Sequence, residues 1–525
     1  MQGEWTGELV GADVWATCRE LIPAGSVFAF LAEHREQLFP ASMFADMYPS
    51  PNGRPSMPPQ VLAATVVLQS LHGLSDFDTV AELRCDLRWK AACGLGLLDT
   101  GFDPSLLAYF RRRLSGSSDP NRLFTTVKQV IAQTGVLKGR VRRALDSTVL
   151  DDAVATQDTV TQLIAAVRRV IREVPGAAQV VAEHCSAHDY DDPGKPRIAW
   201  NDEAARAALV DALVRDALLV LGHLPEAELG PKAADAIGLL ALIAGQDVEP
   251  ADGSDGRDGH WRIAQRTVPD RVVSTVDAEA RHIHKNRTRH QEGFRAHVAM
   301  EPEVGLFTAV GLTAGFGADN HEATVAADLL TGEDPGLTVL GDTAYGTGAL
   351  RRTLTDAGHT VVIKPAPLQQ AVPGGFTADD FTVDATTGTV TCPAGHTKTL
   401  GKPRSGGNRV AQFKTLCRDC PLRDQCTKSK TGRVFSVHAD WDLLKAARDQ
   451  ATTDTDWQAE YRRWRPPVER AIAWLVAKGN RRVPYRGVHA NNTWLHHRAA
   501  ALNLRRLINL GLHHTNGTWA LPTTT

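Results

Sequence analysis

Residues 337–363 read LTVLGDTAYGTGALRRTLTDAGHTVVI, and this stretch decides the fold class. Its first apolar run stops at Asp342, a helix-like segment with a glycine stop follows, and the stretch ends in a second β-branched run. Strands that alternate with helices are typical of α/β sheets. The stretch therefore predicts two strands joined through a helix, with an aspartate directly after the first strand.

The residues on both sides continue this alternation. GFRAHVAM (293–300) and GLFTAVGLTAG (305–315) predict a β-hairpin, NHEATVAADLL (320–330) predicts a helix, and ALDSTVL (144–150) predicts a strand that carries Asp146. The order is then a strand, an insertion, two strands, a helix, a strand, a helix and a strand. We therefore expect an α/β core with mixed parallel and antiparallel pairing.

Helical patterns dominate the chain outside this core. From residue 26 to about 137 apolar residues recur at helical spacing, and Ser75 with Asp78 forms a capping-box pattern. Helical stripes also fill 155–248, and the Gly- and Asp-rich stretch 250–260 predicts a linker. We expect six segments: a helical N-terminal domain (1–137), the first core strand (138–154), a helical insertion with its linker (155–260), the rest of the α/β core (261–370), a cysteine-rich insertion (371–440) and a C-terminal catalytic helix with a basic segment (441–525).

Composition sets limits on the class of protein. The chain has 525 residues, 43% of them hydrophobic, and a formal net charge of −2, which excludes a uniformly basic nucleic-acid coat. Its most apolar stretch, 237–244, is far shorter than the ~20 residues of a membrane-spanning helix. The first residues lack the basic leader of a secretory signal. We expect a soluble cytoplasmic protein.

Asp146 and Asp342 are the first candidate site residues. Loops at the strand ends of an open α/β sheet expose side chains that the sheet holds rigidly. A carboxylate in a buried strand needs a partner, because burial of an unpaired charge is costly. Acids that converge from different elements form the oxygen-rich site that Mg²⁺ prefers, and two such ions ~3.5–4 Å apart stabilise both oxygens of a phosphoryl displacement. Alternatively, Asp342 caps the following turn and Asp146 pairs with Arg142 or Arg143.

A third acid lies in a basic segment of the chain. Pro466 and Pro467 predict the start of a helix that carries Glu469 in its first turn. Between positions 461 and 506 there are 11 Lys or Arg residues with interleaved aromatic residues, and Glu469 is the one acid. This pattern is typical of a surface that contacts a phosphate backbone. A solvated basic helix whose glutamate forms a local ion pair is the alternative.

These motifs together resemble those of the DDE transposases of bacterial insertion sequences. The resemblance rests on ALDSTVL, on GDTAYG, on RPPVERAIAWL with the following NRRVPYRG and AAALNLRRL, and on the N-terminal GRPSMPPQVLAATVVLQSLHGLS. It extends from about residue 53 to about residue 510. It implies an α/β fold class with an RNase H-like mixed-sheet catalytic core, an all-helical N-terminal domain, a helical insertion after the first strand and a small zinc-ribbon-like insertion.

The resemblance also implies an activity. Asp146, Asp342 and Glu469 would be the catalytic triad and would bind two Mg²⁺ ions, for which Mn²⁺ can substitute. The enzyme would cleave and transfer DNA strands, acting on the inverted-repeat ends of its element and on target DNA. Because both ends are cut together, a homodimer or a larger assembly is expected, at the nucleoid. Arg465 and Tyr345 would support the site or the DNA.

The chain departs from the family's signature at two places. The positions for a tyrosine three residues before the arginine and for a lysine seven residues after the acid hold Arg462 and Val476, while Tyr461 and Lys478 stand nearby. Two other functions stay open on the sequence. One is a metal-dependent RNase H-like nuclease or resolvase, and the other is an inactive, transposase-derived DNA-binding protein.

Four of the eight cysteines cluster before the third acid. Cys392, Cys417, Cys420 and Cys426 have a spacing that could close a tetrahedral structural Zn²⁺ site, and the basic loops between them suit a zinc ribbon that lies on DNA. A reduced, metal-free loop is the alternative. The isolated cysteines are predicted to be buried apolar residues: Cys18, Cys85, Cys93 and Cys185.

One more basic stretch, DAEARHIHKNRTRHQEG (277–293), leads into the hairpin. The cations between its histidines oppose metal binding, so we expect a loop that contacts DNA. The residues expected to bind DNA are Lys285, Arg287, Arg289, Arg465, Arg481, Arg482, Tyr485 and Arg486. Reserve carboxylates for the metal site are Asp151, Asp152, Asp277 and Glu292.

Overall fold

A computed structural model describes residues 1–50, 52–224, 228–255, 260–264, 268, 271–284 and 290–522. Within this part of the chain the architecture is a mixed α/β fold with 18 α-helices and a six-stranded sheet. No helix in these ranges is both long enough and apolar enough to cross a membrane. The expected α/β class with a mixed sheet is confirmed.

The chain begins with helices. They are α1 (Val14–Cys18), α2 (Val27–Leu38), α3 (Pro59–His72), α4 (Asp76–Cys85), α5 (Leu87–Cys93), α6 (Ser105–Ser115) and α7 (Arg122–Thr134). The capping box is confirmed, because Ser75 Oγ accepts from the Asp78 N–H at 3.1 Å and donates to Asp78 Oδ2 at 2.7 Å. The apolar faces of these helices join one hydrophobic core with the central sheet.

A helical insertion follows the first strand of the sheet. Strand β1 (Arg142–Asp151) is followed by α8 (Thr159–Glu173), α9 (Ala177–His184), α10 (Glu203–His223) and α11 (Pro231–Gln246). These helices pack around their own core, as their apolar stripes predict. The expected linker is partly wrong: β2 (Val248–Pro250) pairs antiparallel with β3 (Trp261–Ile263), and positions 256–259 lie outside the described residues.

The central sheet is completed after the insertion. Its further strands are β4 (Arg281–His284), β5 (His290–Glu301), β6 (Leu306–Ala314), β7 (Thr338–Gly341) and β8 (Thr360–Ile363). The order is β4-β5-β1-β7-β8, with β6 also paired to β5. Strand β5 pairs antiparallel with β1 and β6, while β7 is parallel to both β1 and β8. The expected hairpin and mixed pairing are confirmed.

Helices cover both faces of this sheet, and the alternation of side chains along each strand shows why. Helices α12 (Glu322–Leu329) and α13 (Gly348–Asp356) follow β6 and β7 and pack on the face that carries Leu145, Val339 and Ile363. The neighbouring positions Ala144 and Leu340 belong to the core on the opposite face. Because successive strand residues point to opposite faces, both registers must be apolar in a sheet covered twice.

The cysteine-rich module comes next and has a small core of its own. It contains β9 (Thr382–Asp384), β10 (Thr389–Thr391), β11 (Thr397–Thr399), β12 (Arg409–Gln412), α14 (Arg423–Cys426) and β13 (Val434–Val437). Strands β9–β11 form one antiparallel sheet, and β12 pairs with β13 in another. Stacked Phe381 and Phe435, with ring centroids 4.4 Å apart, hold the two sheets together.

Four helices and a short hairpin end the described chain. They are α15 (Trp441–Thr453), α16 (Thr455–Trp464), α17 (Pro466–Val476), α18 (Val488–Asn509), β14 (His513–Thr515) and β15 (Thr518–Ala520). Helix α17 packs on β1, and α18 packs on β6 and on the N-terminal helices α3 and α7. The helix predicted to start at the proline pair is confirmed, with Glu469 in its first turn.

Candidate active site

Asp146 and Asp342 come together at one edge of the central sheet. Strands β1 and β7 are parallel neighbours with Ala144 opposite Leu340, so Asp146 and Asp342 both lie two residues beyond this pair. The pleat and the common strand direction therefore bring the two carboxylates to the same end of the sheet. Asp342 also accepts a hydrogen bond from the Ala344 N–H at 2.9 Å, so the predicted capping role is real as well.

A single guanidinium lies between the two carboxylates. Arg465 Nη1 donates to Asp146 Oδ2 at 3.3 Å, and its Nη2 lies 3.2 Å from Asp146 Oδ1 and 3.9 Å from Asp342 Oδ2. The alternative pairing of Asp146 is wrong, because Arg142 pairs with glutamates 303 and 460 and Arg143 pairs with Glu333. Arg465 is buried where α16 meets α17, next to Pro466, so the helix junction fixes its position.

Burial sets the electrostatics of this pair. It raises the pKa of Asp146 above its ordinary value, Arg465 opposes that rise, and the nearby charge of Asp342 adds to it. The Asp146 side chain is 14% exposed, whereas that of Asp342 is 44% exposed. The site therefore joins one carboxylate in a low-dielectric environment to one that faces solvent.

Glu469 lies on α17, the helix that packs on β1. It is exposed on α17. Burial raises the pKa of Tyr461, Arg465 lowers it, and the charges of Asp342 and Glu469 both raise it, so the two acids flank the same tyrosine. Among the residues that the structure describes, no group of three or more His, Cys, Asp or Glu side chains is already spaced to hold a metal ion.

Asp342 opens into a cleft of about 680 Å³ whose other polar residues were not expected from the sequence. Arg295 on β5 forms an ion pair with Glu322 at the start of α12, and Ser147 Oγ donates to Glu322 Oε1 at 3.3 Å. These side chains extend the polar site away from Arg465. The sequence contained a weak sign of these polar residues, because Ser147 directly follows Asp146 and Glu322 begins a helix.

Tyr345 of the GDTAYG motif is buried under the site. Its side chain is 1% exposed and packs in the core formed by α12, α13 and the sheet. Burial raises its pKa well above the ordinary value, and the charges of Asp146 and Asp342 add to that rise. The ring therefore supports the two aspartates from below and does not reach the surface.

The residues expected to bind DNA fall into four groups. Arg482 and Arg486 are exposed. Arg481 turns inward and donates to Thr148 Oγ1 and to the Val149 carbonyl, both at 2.8 Å, while Tyr485 packs under the Arg111 guanidinium. Arg465 belongs to the carboxylate site. The three remaining residues, Lys285, Arg287 and Arg289, lie outside the described residues.

Comparison with protein families gives two matches. A model described as "Transposase DDE domain" matches residues 391–508, and one described as "Transposase domain (DUF772)" matches residues 16–113. The two matches indicate a DDE transposase of insertion-sequence type. The DDE match includes Glu469 and the four clustered cysteines, whereas Asp146 and Asp342 lie outside both matches. Nothing matches among curated proteins or solved structures.

The four clustered cysteines surround one small cavity. Cys392, Cys417, Cys420 and Cys426 line a space of about 20 Å³, together with His396. Cys417 Sγ accepts a hydrogen bond from the Arg433 N–H at 3.4 Å, and all four are free thiols. Burial raises the pKa of Cys426, Arg433 lowers it, and the three neighbouring cysteines raise it. Sulfur is the donor that a soft divalent ion such as Zn²⁺ prefers, but the four described thiols are not already spaced to hold one.

The other cysteines and acids have separate roles. Cys93 is buried as expected, Cys18 and Cys185 are only half-buried, and Cys85 is exposed, so the prediction for Cys85 is wrong. Its position near the end of α4 turns the side chain away from the core. Of the reserve carboxylates, Asp152 and Asp277 lie close to each other, and burial followed by the Asp277 charge raises the pKa of Asp152 to about 6.

The two remaining reserve acids take part in local contacts. The main chain of Asp151 pairs with residues 481–483, since its N–H donates to Arg481 O at 2.8 Å. Glu292 accepts from Thr156 Oγ1. None of the four reserve acids contacts Arg465 in the described structure, so Asp146 and Asp342 remain the pair around which a site can form.

Proposed function

We propose that this chain is a DNA transposase that binds the inverted-repeat ends of an insertion sequence and uses Asp146, Asp342 and Glu469 to cleave and transfer DNA strands. The observation that carries the proposal is the convergence of Asp146 and Asp342 on one cation, from adjacent parallel strands. Both family matches are to transposase domains, which adds independent support. The mixed sheet with helices on both faces is compatible with the RNase H-like core that the family resemblance implies.

The carboxylates suit divalent metal ions. Asp146 and Asp342 already converge on a positive charge, and carboxylate oxygen is the donor that Mg²⁺ or Mn²⁺ prefers. Two bound Mg²⁺ ions would supply the Lewis acidity and the activated water that phosphodiester cleavage requires. Glu469 is the third donor in this proposal, because it is exposed on the helix that packs on β1 and can turn toward the aspartates without breaking an ion pair.

The chain's own residues have distinct parts in this mechanism. Arg465 offsets part of the negative charge of the two aspartates before DNA arrives, and its planar guanidinium suits bidentate contact with a phosphate. Tyr345 and the other buried residues beneath the site exclude water and keep both carboxylates in place. Arg482 and Arg486, which are exposed beyond the end of α17, would hold the DNA backbone in sequence-independent contacts.

A structural Zn²⁺ ion in the cysteine-rich module is part of the same proposal. The four thiols line one cavity, and Cys417 Sγ accepts a hydrogen bond from the Arg433 N–H. Such an ion would stabilise the fold of a module whose own apolar core is small. The module would then act as a zinc ribbon beside the catalytic core.

Strand cleavage tests the proposal. The full chain is incubated with Mg²⁺ and DNA that carries the inverted repeats flanking its gene, and products are resolved on denaturing gels. Wild-type protein should nick the ends and join them to target DNA. Asp342→Asn should lose cleavage by at least about 100-fold while DNA binding is kept, since the lost group acts on the reacting phosphate. Asp356→Asn, on the exposed side of α13, is the matched control.

The two rivals predict other products. A nuclease or resolvase on this fold would cut the paired-end substrate without joined products. An inactive DNA-binding descendant would bind the ends, and Asp342→Asn would then change nothing. Full cleavage by Asp342→Asn would contradict the assignment of the proposed acids as the catalytic triad.

A further inference from the structure

The cysteine-rich module carries an open cleft that lies next to the cysteine cavity. The cleft has a volume of about 520 Å³, and its lining includes Lys414, Arg418, Arg423, Lys430 and Arg433, but no acidic side chain. The surrounding sequence, 402–433, contains nine Lys or Arg residues and two Asp residues. The chain as a whole has a net charge of −2, so this stretch is a local excess of positive charge.

The cations of the cleft have no carboxylate partners. None of these five side chains forms a salt bridge within the described part of the chain. Lys414, Arg418 and Lys430 are exposed at its rim. Like charges held close together repel one another, and an anion that enters the cleft removes that repulsion. The cleft is therefore suited to a polyanion.

Hydrogen bonds fix the backbone that forms the cleft. Arg423 donates to the carbonyls of Cys417 at 3.2 Å and Ser429 at 3.1 Å, and so ties the turn after β12 to the loop before β13. Arg433 donates to the Cys426 carbonyl at 3.2 Å and lies over the Phe381 ring. Two cations thus hold the walls, and three remain at the rim for a ligand. Preorganised cations lose less entropy when they bind phosphate.

We propose that this cleft binds the phosphodiester backbone of duplex DNA, as a second, sequence-independent contact outside the carboxylate site. The inference rests on the proposed transposase function, which supplies the duplex. Arg and Lys side chains in a fixed cleft contact phosphates without reading bases. The rim residues Lys414, Arg418 and Lys430 provide the contacts, and Arg423 and Arg433 keep the cleft open.

The salt dependence of DNA binding tests this inference. The affinity of the full chain for a labelled duplex is measured by fluorescence anisotropy, without divalent ions, at several salt concentrations. Each phosphate contact contributes about −0.9 to the slope of log K against log salt. The variant Lys414→Ala/Arg418→Ala/Lys430→Ala should reduce that slope by about 2–3 and weaken binding about 10-fold or more at low salt. Its thermal unfolding should match that of the wild type, because Arg423 and Arg433 are kept.

A matched variant removes the same charge from another surface. Arg197→Ala/Arg206→Ala/Lys232→Ala lies on exposed positions of the helical insertion and should leave the slope unchanged. An equal loss in both variants would overturn the cleft as a specific contact, as would an unchanged slope in the cleft variant. If the cleft variant lost only its binding of inorganic phosphate and kept the salt dependence of DNA binding, the cleft would be a small-anion site and the inference would be overturned. Absence of any DNA binding by the wild type would instead overturn the proposed function.

Discussion

Arg465 is the residue on which the geometry of the candidate site depends. Its side chain is 8% exposed and lies between one buried and one half-exposed aspartate. A buried carboxylate without its partner is costly, so this guanidinium keeps Asp146 ionised inside the protein. The sequence could not reveal the pairing, because the two residues are 319 positions apart.

Replacement of Arg465 by Met should therefore destabilise the protein in a pH-dependent way. The Asp146 pKa is already raised in the folded state, and loss of Arg465 raises it further. The cost of the unpaired, ionised carboxylate appears as pH rises through that pKa. We therefore expect the free energy of unfolding, measured with urea, to fall by about 2–3 kcal/mol at pH 8 and by less at pH 5. Arg462→Met, whose exposed guanidinium donates to Gln458, is the control. An equal loss at both pH values would contradict this role.

Asp152 provides a second pH test at the residue scale. It is 5% exposed, and its folded-state pKa of about 6 is above its ordinary value. A raised pKa contributes stability below about pH 4, and this contribution is lost as pH rises through 6. Asp152→Asn should thus raise the free energy of unfolding by about 1 kcal/mol relative to the wild type at pH 7.5 and leave it unchanged at pH 4. Asp235→Asn, exposed on α11, should gain nothing at either pH.

At the scale of elements, Arg498 joins the N-terminal helices to the helix that carries Glu469. From the middle of α18 it donates to the carbonyls of Leu71 at 3.1 Å and Trp474 at 2.7 Å, and also to those of Ser70, Leu475 and Ala477. These carbonyls end α3 and α17, where a cation suits both helix dipoles. Burial lowers the Arg498 pKa to about 10, so the charge is kept at neutral pH.

Arg498→Met should loosen both helix ends together. Several buried carbonyls would lose their donor, and we expect a loss of about 3 kcal/mol or more. Hydrogen exchange should become faster at the ends of α3 and α17 but stay slow in β1. Arg505→Met on the same helix is the control. Faster exchange at only one of the two helix ends would contradict the joint role of Arg498.

The elements themselves could be predicted largely from local pattern. The strand that ends at Asp342, the hairpin 293–315 and the helix after Pro467 are each encoded by residues within a few positions of one another. The partners of basic side chains could not be predicted in this way. Arg481 and Arg498 carry the same charge as exposed Arg482, yet they turn inward, because distant backbone carbonyls accept from them. A count of basic residues therefore overestimated the surface available to DNA.

At the scale of the whole molecule, the described residues form one large core and three smaller ones. The N-terminal helices, one face of the sheet and α18 share the first, α12 and α13 enclose a second with the other face of the sheet, and the helical insertion and the cysteine-rich module each have their own. The hydrogen bond from the Gln157 N–H to the Val273 carbonyl, at 2.9 Å, closes the insertion at its base. The insertion is thus connected to the core as a separately packed unit.

Leu213→Ala tests this division. Leu213 is 0% exposed in the core of the insertion, so truncation should cost about 2–5 kcal/mol there. Hydrogen exchange should accelerate in α8, α10 and α11, and exchange in β1 and α18 should be unchanged. Leu504→Ala, in the large core, should give the opposite pattern. Acceleration throughout the chain in the Leu213 variant would mean that the cores unfold as one unit.

The central claim is that Asp146, Asp342 and Glu469 form one site for divalent metal ions, and Mn²⁺ binding measured by electron paramagnetic resonance tests it most directly. The wild-type chain should bind Mn²⁺, and Mg²⁺ should compete for the same site. Asp146→Asn and Asp342→Asn should each weaken binding by about 10-fold or more, and Glu469→Gln should weaken it too, whereas Asp356→Asn should not. Unchanged Mn²⁺ binding in all three site variants would contradict the claim.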